Sequence, residues 1–195
     1  MLMSDLNSEI DAALVDDNPI PRERFLVWID AATSLPSLSK LYRLTEVDYY
    51  RIQPDLGQEV TCALILRYLL QCIRENVQDD DAIQSRFEAA GSLHQWFCHL
   101  AKRDDSSVIL NGVVHSITEL FLVSDEKIQK AIEAGFLEHV LETAALRPYF
   151  EYWATDERLS AAWDRALEWG KAHPDFTLGL LEQLRQIQAE LFLSG

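Results

Sequence analysis

Ala82-Ile83-Gln84-Ser85-Arg86-Phe87-Glu88-Ala89-Ala90-Gly91-Ser92-Leu93 and Lys127-Ile128-Gln129-Lys130-Ala131-Ile132-Glu133-Ala134-Gly135-Phe136-Leu137 decide the fold, because they read as copies of one pattern. Ile83, Gln84, Glu88 and Ala89 match Ile128, Gln129, Glu133 and Ala134; one deletion later, Gly91 and Leu93 match Gly135 and Leu137. The apolar ladder stays in step beyond them, with Trp96, Phe97 and Leu100 opposite Val140, Leu141 and Ala144. Upstream, Leu66, Leu69, Leu70 and Ile73 lie 44 residues before Leu110, Val113, Val114 and Ile117. Apolar spacings of three and four mark amphipathic helices, so the repeated unit is helical.

Each unit reads as a long apolar helix, an acidic turn, a short helix ending at glycine, and another amphipathic helix. The turns are Gln78-Asp79-Asp80-Asp81 and Ser124-Asp125-Glu126, whose acids suit the positive start of the next helix. Gly91 and Gly135 are expected to end one helix and let the next leave at a steep angle. Composition agrees with helix throughout. Of 195 residues 48% are hydrophobic, enough for a buried core, while Gly (7) and Pro (6) are too sparse for a many-turned β fold.

The run from Ile128 to Leu141 resembles an armadillo repeat, and Ile83 to Leu100 is a similar copy with Ala90 inserted and Trp96-Phe97 where smaller aliphatics are usual. A period of 44 to 45 residues also suits HEAT units. The resemblance covers roughly residues 60–146. It implies an all-α, short right-handed α-solenoid, armadillo/HEAT-like, with a concave face made by the last helix of each unit. Two units are too few to stand alone, so capping helices are expected on both sides. Residues 1–20 read as a flexible acidic N-terminal arm, and 21–195 as a single helical-repeat domain. Within it, 21–58 are N-terminal capping helices, 59–146 the two repeat units and 147–195 C-terminal capping helices. The aromatic cluster Tyr149, Phe150, Tyr152 and Trp153 is expected to pack between helices, and a stripe from Phe176 to Phe192 to close the end.

The formal net charge is −15, from 17 Lys and Arg against 32 Asp and Glu, and no basic run interrupts the acids. Such a chain repels phosphate backbones and anionic bilayers, which argues against nucleic-acid and membrane partners; a basic protein partner is compatible with the charge, which also serves simply to keep the chain soluble. The start lacks a signal-peptide pattern, and no apolar run approaches the roughly 20 residues that span a bilayer. Cys62, Cys72 and Cys98 have no metal-ligand spacing and read as reduced core thiols, so a cytoplasmic location is expected.

Catalytic motifs are absent from the sequence: no phosphate-binding glycine loop, no HExxH, no GxSxG, and no two histidines three or four residues apart. No cofactor, metal or catalytic residue is therefore expected. The expected function is a non-enzymatic protein-protein interaction module, an adaptor or inhibitor. Its candidate partner-binding residues fall in two sets. His94, Gln95 and His99, with Glu138, His139 and Glu142 at equivalent places, should face out from the concave side. Asp79, Asp80, Asp81, Asp125 and Glu126 should form an acidic edge. A sharper version is an immunity-type inhibitor of a basic toxin or nuclease. From a different class, a helical enzyme or small-molecule sensor would show a pocket with a buried carboxylate or histidine pair.

Overall fold

Long runs of Leu, Ala, Glu, Gln and Arg favour helix, and helix accounts for nearly every element among the described residues. The computed structural model describes residues 3–77 and 83–173 and is mainly α, with nine α-helices and one tiny parallel sheet among those residues. The turn acids Asp79, Asp80 and Asp81 and the stripe from Phe176 lie outside the described residues. No described helix is long and apolar enough to cross a membrane. The chain divides into two compact units, Met1–Leu93 and His94–Gly195.

In the first unit the order is α1 (Met3–Val15), β1 (Ile20–Pro21), α2 (Arg22–Ala31), α3 (Leu35–Val47), a 3-10 turn (Tyr49–Arg51), β2 (Ile52–Gln53) and α4 (Gln58–Glu75). The first half of α5 (Arg86–Leu100) completes it. The arm expected over residues 1–20 is instead largely the packed helix α1. Leu6 and Ile10, four apart on one face, are buried, Ile10 completely at 0% exposure. Each such side chain contributes about 1.5–3 kcal/mol through burial. Polar clamps add to this: Trp28 Nε1 donates to Glu9 Oε2 (3.0 Å), and Ser37 Oγ donates to Asn7 Oδ1 (2.8 Å). Pro36 lies in the first turn of α3: the Ser34 hydroxyl caps the helix by accepting from Ser37 N, and proline has no N–H to leave unpaired there. Across α3 and α4, Tyr42 stacks on Tyr68 with ring centroids 4.4 Å apart.

Helix C-termini leave carbonyls without partners and carry the negative end of the dipole. This chain fills several of them with arginine. Arg51, only 4% exposed, donates to the carbonyls of Ala13, Asp16 and Asn18 at and beyond the end of α1. Arg67 donates to the carbonyls of Ile29 and Ala32 at the end of α2, and Arg86 to those of Ile73 and Arg74 at the end of α4.

The second unit contains the rest of α5, then α6 (Ser107–Val123), α7 (Glu126–Ile132), a π-helical turn (Glu133–Leu137), α8 (Glu138–Glu142), a long 3-10 segment (Ala144–Thr155) and α9 (Ser160–Ala172). The expected ladder of α6 is buried: Leu110, Val113, Val114 and Ile117. The end of α8 is again capped by arginine, with Arg147 Nε donating to Leu141 O (2.8 Å).

The glycine corners are where the structure departs from the repeat reading. Gly91 lies inside α5, and Gly135 inside a π turn that joins α7 to α8 without a break. Neither ends a helix. The wider π turn brings Phe136, Leu137, Val140 and Leu141 all into the core. The close approach instead belongs to Gly170 of α9. A Cβ there would meet Leu141 C at 2.7 Å and Leu141 O at 2.8 Å, so the two helix backbones touch at this point.

Candidate functional site

A polar interior group lies in the second unit. His94 on α5 and His139 on α8 have ring centroids 5.3 Å apart. One turn along α8, Glu142 Oε1 accepts from His139 Nδ1 at 2.6 Å. The His139 ring meets Trp169 of α9 edge to face at 5.0 Å, and Trp169 stacks on His173 at 4.4 Å. Four rings thus form a column, with a carboxylate bound at its second member.

His94 is 6% exposed and Glu142 4%, so both face inward rather than out as expected. For His94 the cause is helical phase. It lies four residues after Ala90 and three before Phe97, both completely buried, so it falls on the interior stripe. Glu142 lies where α8 packs against α9, with the Gly170 backbone close to the Leu141–Glu142 peptide. Burial first, and then His139, pushes His94 down to about 4, which leaves it neutral near pH 7. Glu138, half-buried, is raised by burial and by Glu133 beside it.

Cys98 follows His94 by one helical turn, but burial, against a smaller pull from Lys102 and with a smaller push from Glu142, raises its thiol to about 11. Such a thiol is not a nucleophile at neutral pH. Cys72 is buried and likewise pushed up to about 11 by desolvation. None of the three cysteines forms a disulfide. Among the described residues no three His, Cys, Asp or Glu side chains are placed to hold a metal ion.

The remaining expected site residues are scattered. Gln95 and His99 are exposed on α5, away from the column. Asp125 caps α7 by accepting from Ile128 N at 3.0 Å, and Glu126 is exposed in the same first turn. Capping thus accounts for Asp125.

An open groove of about 660 Å³ in the second unit was not anticipated from sequence. Asn111, Val114, His115, Thr118 and Glu119 of α6 form one wall, and Pro148, Tyr149 and Tyr152 of the 3-10 segment the other. The aromatic cluster divides between two tasks. Phe150 and Trp153 are fully buried, whereas Tyr149 is half-buried and Tyr152 is 46% exposed in the groove. Both tyrosines are held in place. Tyr149 meets Phe97 edge to face at 5.6 Å, and the Tyr152 hydroxyl bonds Thr118 Oγ1, which also accepts from Trp153 Nε1 at 3.0 Å. The sequence signal was Tyr149 and Tyr152 three residues apart, a spacing that puts both on one side of a 3-10 helix.

A second groove, about 540 Å³, lies in the first unit between Tyr42, Arg43 and Glu46 of α3, Tyr68 of α4, and Gln84 and Glu88. Gln84 Oε1 is buried there without a hydrogen-bond partner. Glu88 is already engaged, accepting from Ser85 N at 2.8 Å as a helix cap. Comparison with protein-family models, with curated proteins and with solved structures gives no match for this chain.

Proposed function

We propose that the chain is a non-enzymatic interaction module, an adaptor or inhibitor, which docks a segment of a partner protein in the groove between α6 and the 3-10 segment. The carrying observation is that Tyr149 and Tyr152 are fixed there by Phe97 and Thr118 before any partner arrives. Preformed tyrosines supply apolar area and polar edges at little entropic cost, the combination that interfaces favour. The helix pairs α4–α5 and α6 with α7–α8 support a repeated unit of the HEAT kind. In both, a side chain from the start of the second helix caps the end of the first: Arg86 on Ile73 O (2.6 Å) and Gln129 on Phe121 O (3.0 Å). On this reading the unit has two helices rather than three, and a short solenoid remains the proposed architecture. The acidic charge suits a basic partner, and a cytoplasmic location is part of the same proposal.

The test is affinity capture with three proteins: the wild type, His115→Trp to fill the groove, and Gln95→Trp to block the exposed side of α5. A partner lost only with His115→Trp supports the groove. Loss with Gln95→Trp alone moves binding to α5, and capture of nothing by the wild type removes the reading.

A further inference from the structure

We infer that the groove between α6 and the 3-10 segment is a seat for an arginine side chain of the partner, its guanidinium lying against the tyrosine rings and paired with Glu119. This deepens the docking reading above and rests on it. Among the groove's lining residues, the charged side chain that faces solvent without an ion pair to a described residue is Glu119. The other groups that converge there are two tyrosine rings, a proline ring, Asn111 and His115. Tyrosine faces attract cations. The Tyr152 hydroxyl is committed to Thr118, so that ring offers a partner its face and edge rather than a free donor.

A guanidinium meets all of these at once. It stacks flat on an aromatic ring, grips a carboxylate through two parallel N–H bonds, and sheds water more readily than an ammonium. Asn111 Oδ1 is available for a third N–H. The stem of the side chain would lie along Pro148 and Val114. The net charge of −15 adds a long-range pull on any cationic segment.

The probe is N-acetyl-arginine amide, titrated against the full-length isotope-labelled protein by NMR, with the lysine and citrulline analogues beside it. Arginine is expected to shift the side-chain and amide signals of Glu119, Tyr149 and Tyr152 and to saturate in the millimolar range. Lysine should bind more weakly, and citrulline, isosteric but neutral, should not bind. Glu119→Gln should weaken arginine by about five-fold, the scale of a partly exposed ion pair. Glu157→Gln, which removes the same charge from an exposed site outside the groove, should leave affinity unchanged. Equal binding of arginine and citrulline overturns the inference, as does lysine matching arginine or equal losses from the two Glu variants. If the probe fails while His115→Trp still abolishes capture, the arginine seat is wrong and the docking groove stands. If the probe binds and His115→Trp leaves capture intact, the docking reading fails.

Discussion

The two units bury polar groups of opposite kinds. The first closes around a guanidinium, Arg51, whose partners are backbone carbonyls and Asp48 at 3.6 Å. The second closes around imidazoles and a carboxylate, His94, His139 and Glu142. A guanidinium holds its charge at every pH at which proteins fold, whereas a histidine changes charge within the physiological range. Similar helical material thus closes once around a permanent charge and once around a histidine that burial keeps neutral.

Arg51→Leu should have the largest effect. It leaves the carbonyls at the end of α1 and the Asp48 carboxylate without their shared donor, a loss of about 3–5 kcal/mol. Hydrogen exchange should show α1 amides losing protection while α9 amides keep theirs. Equal protection of α1 in the variant would mean that Leu6, Ile10 and the Glu9–Trp28 bond hold the helix unaided. Gly170→Ala comes next and strikes only the second unit. Its Cβ would press on backbone, which cannot rotate away, so about 3 kcal/mol is expected by denaturant unfolding.

Acid separates the units without mutation. His94 is held near 4 in the fold but titrates near 6.5 once unfolded, so the unfolded chain takes up a proton that the folded one refuses. The stability this gives is complete above about 6.5 and is lost as pH falls towards 4. At pH 5 the loss is about 2 kcal/mol, at 1.36 kcal/mol for each pH step. His139, Glu142 and Cys98 are the groups around it, and His94→Leu should flatten the slope. In the first unit the shifted acids have the same sign but a lower window. Glu9 is lowered chiefly by its bond to Trp28, and Asp16 by Asn18, so their contributions persist until pH falls through the carboxylate range. Exchange measured from pH 7 to 5 should therefore show α8 and α9 loosening before α1 to α4. Simultaneous loosening would dissolve the contrast.

What was legible in the sequence depended on periodicity within one helix. The α6 ladder and the Asp125 cap follow from local spacing, and both are present. What failed depended on a partner far along the chain. Arg51 and Arg67 look like ordinary surface cations until helix ends 35 to 38 residues away come within reach. Glu142 looks outward until α9 packs against its helix; His94, by contrast, shares the interior stripe of Ala90 and Phe97, and closer attention to local spacing would have placed it. Tyr149 and Tyr152 read as packing residues because Phe150 and Trp153, beside them, are just that. Gly170 gave no sign at all, since its importance is the space it leaves for Leu141.

The smallest expected effect also tests the most specific error. A helix corner at Gly91 would need a backbone that glycine adopts easily and alanine does not. The structure instead runs α5 straight through that residue and shows nothing within 4 Å of where a Cβ would go. Gly91→Ala should then stabilise, by about 0.5–1 kcal/mol, because alanine loses less freedom on joining a helix. Gly112, exposed in α6 with the same open space, is the matched control in the second unit and should gain as much. Thermal midpoints of both variants decide the matter against Gly170→Ala, where the identical substitution must lose. Gain at Gly112 with loss at Gly91 would restore the corner and with it the three-helix armadillo unit. Gain at both would make α5 the uninterrupted second helix of a two-helix pair.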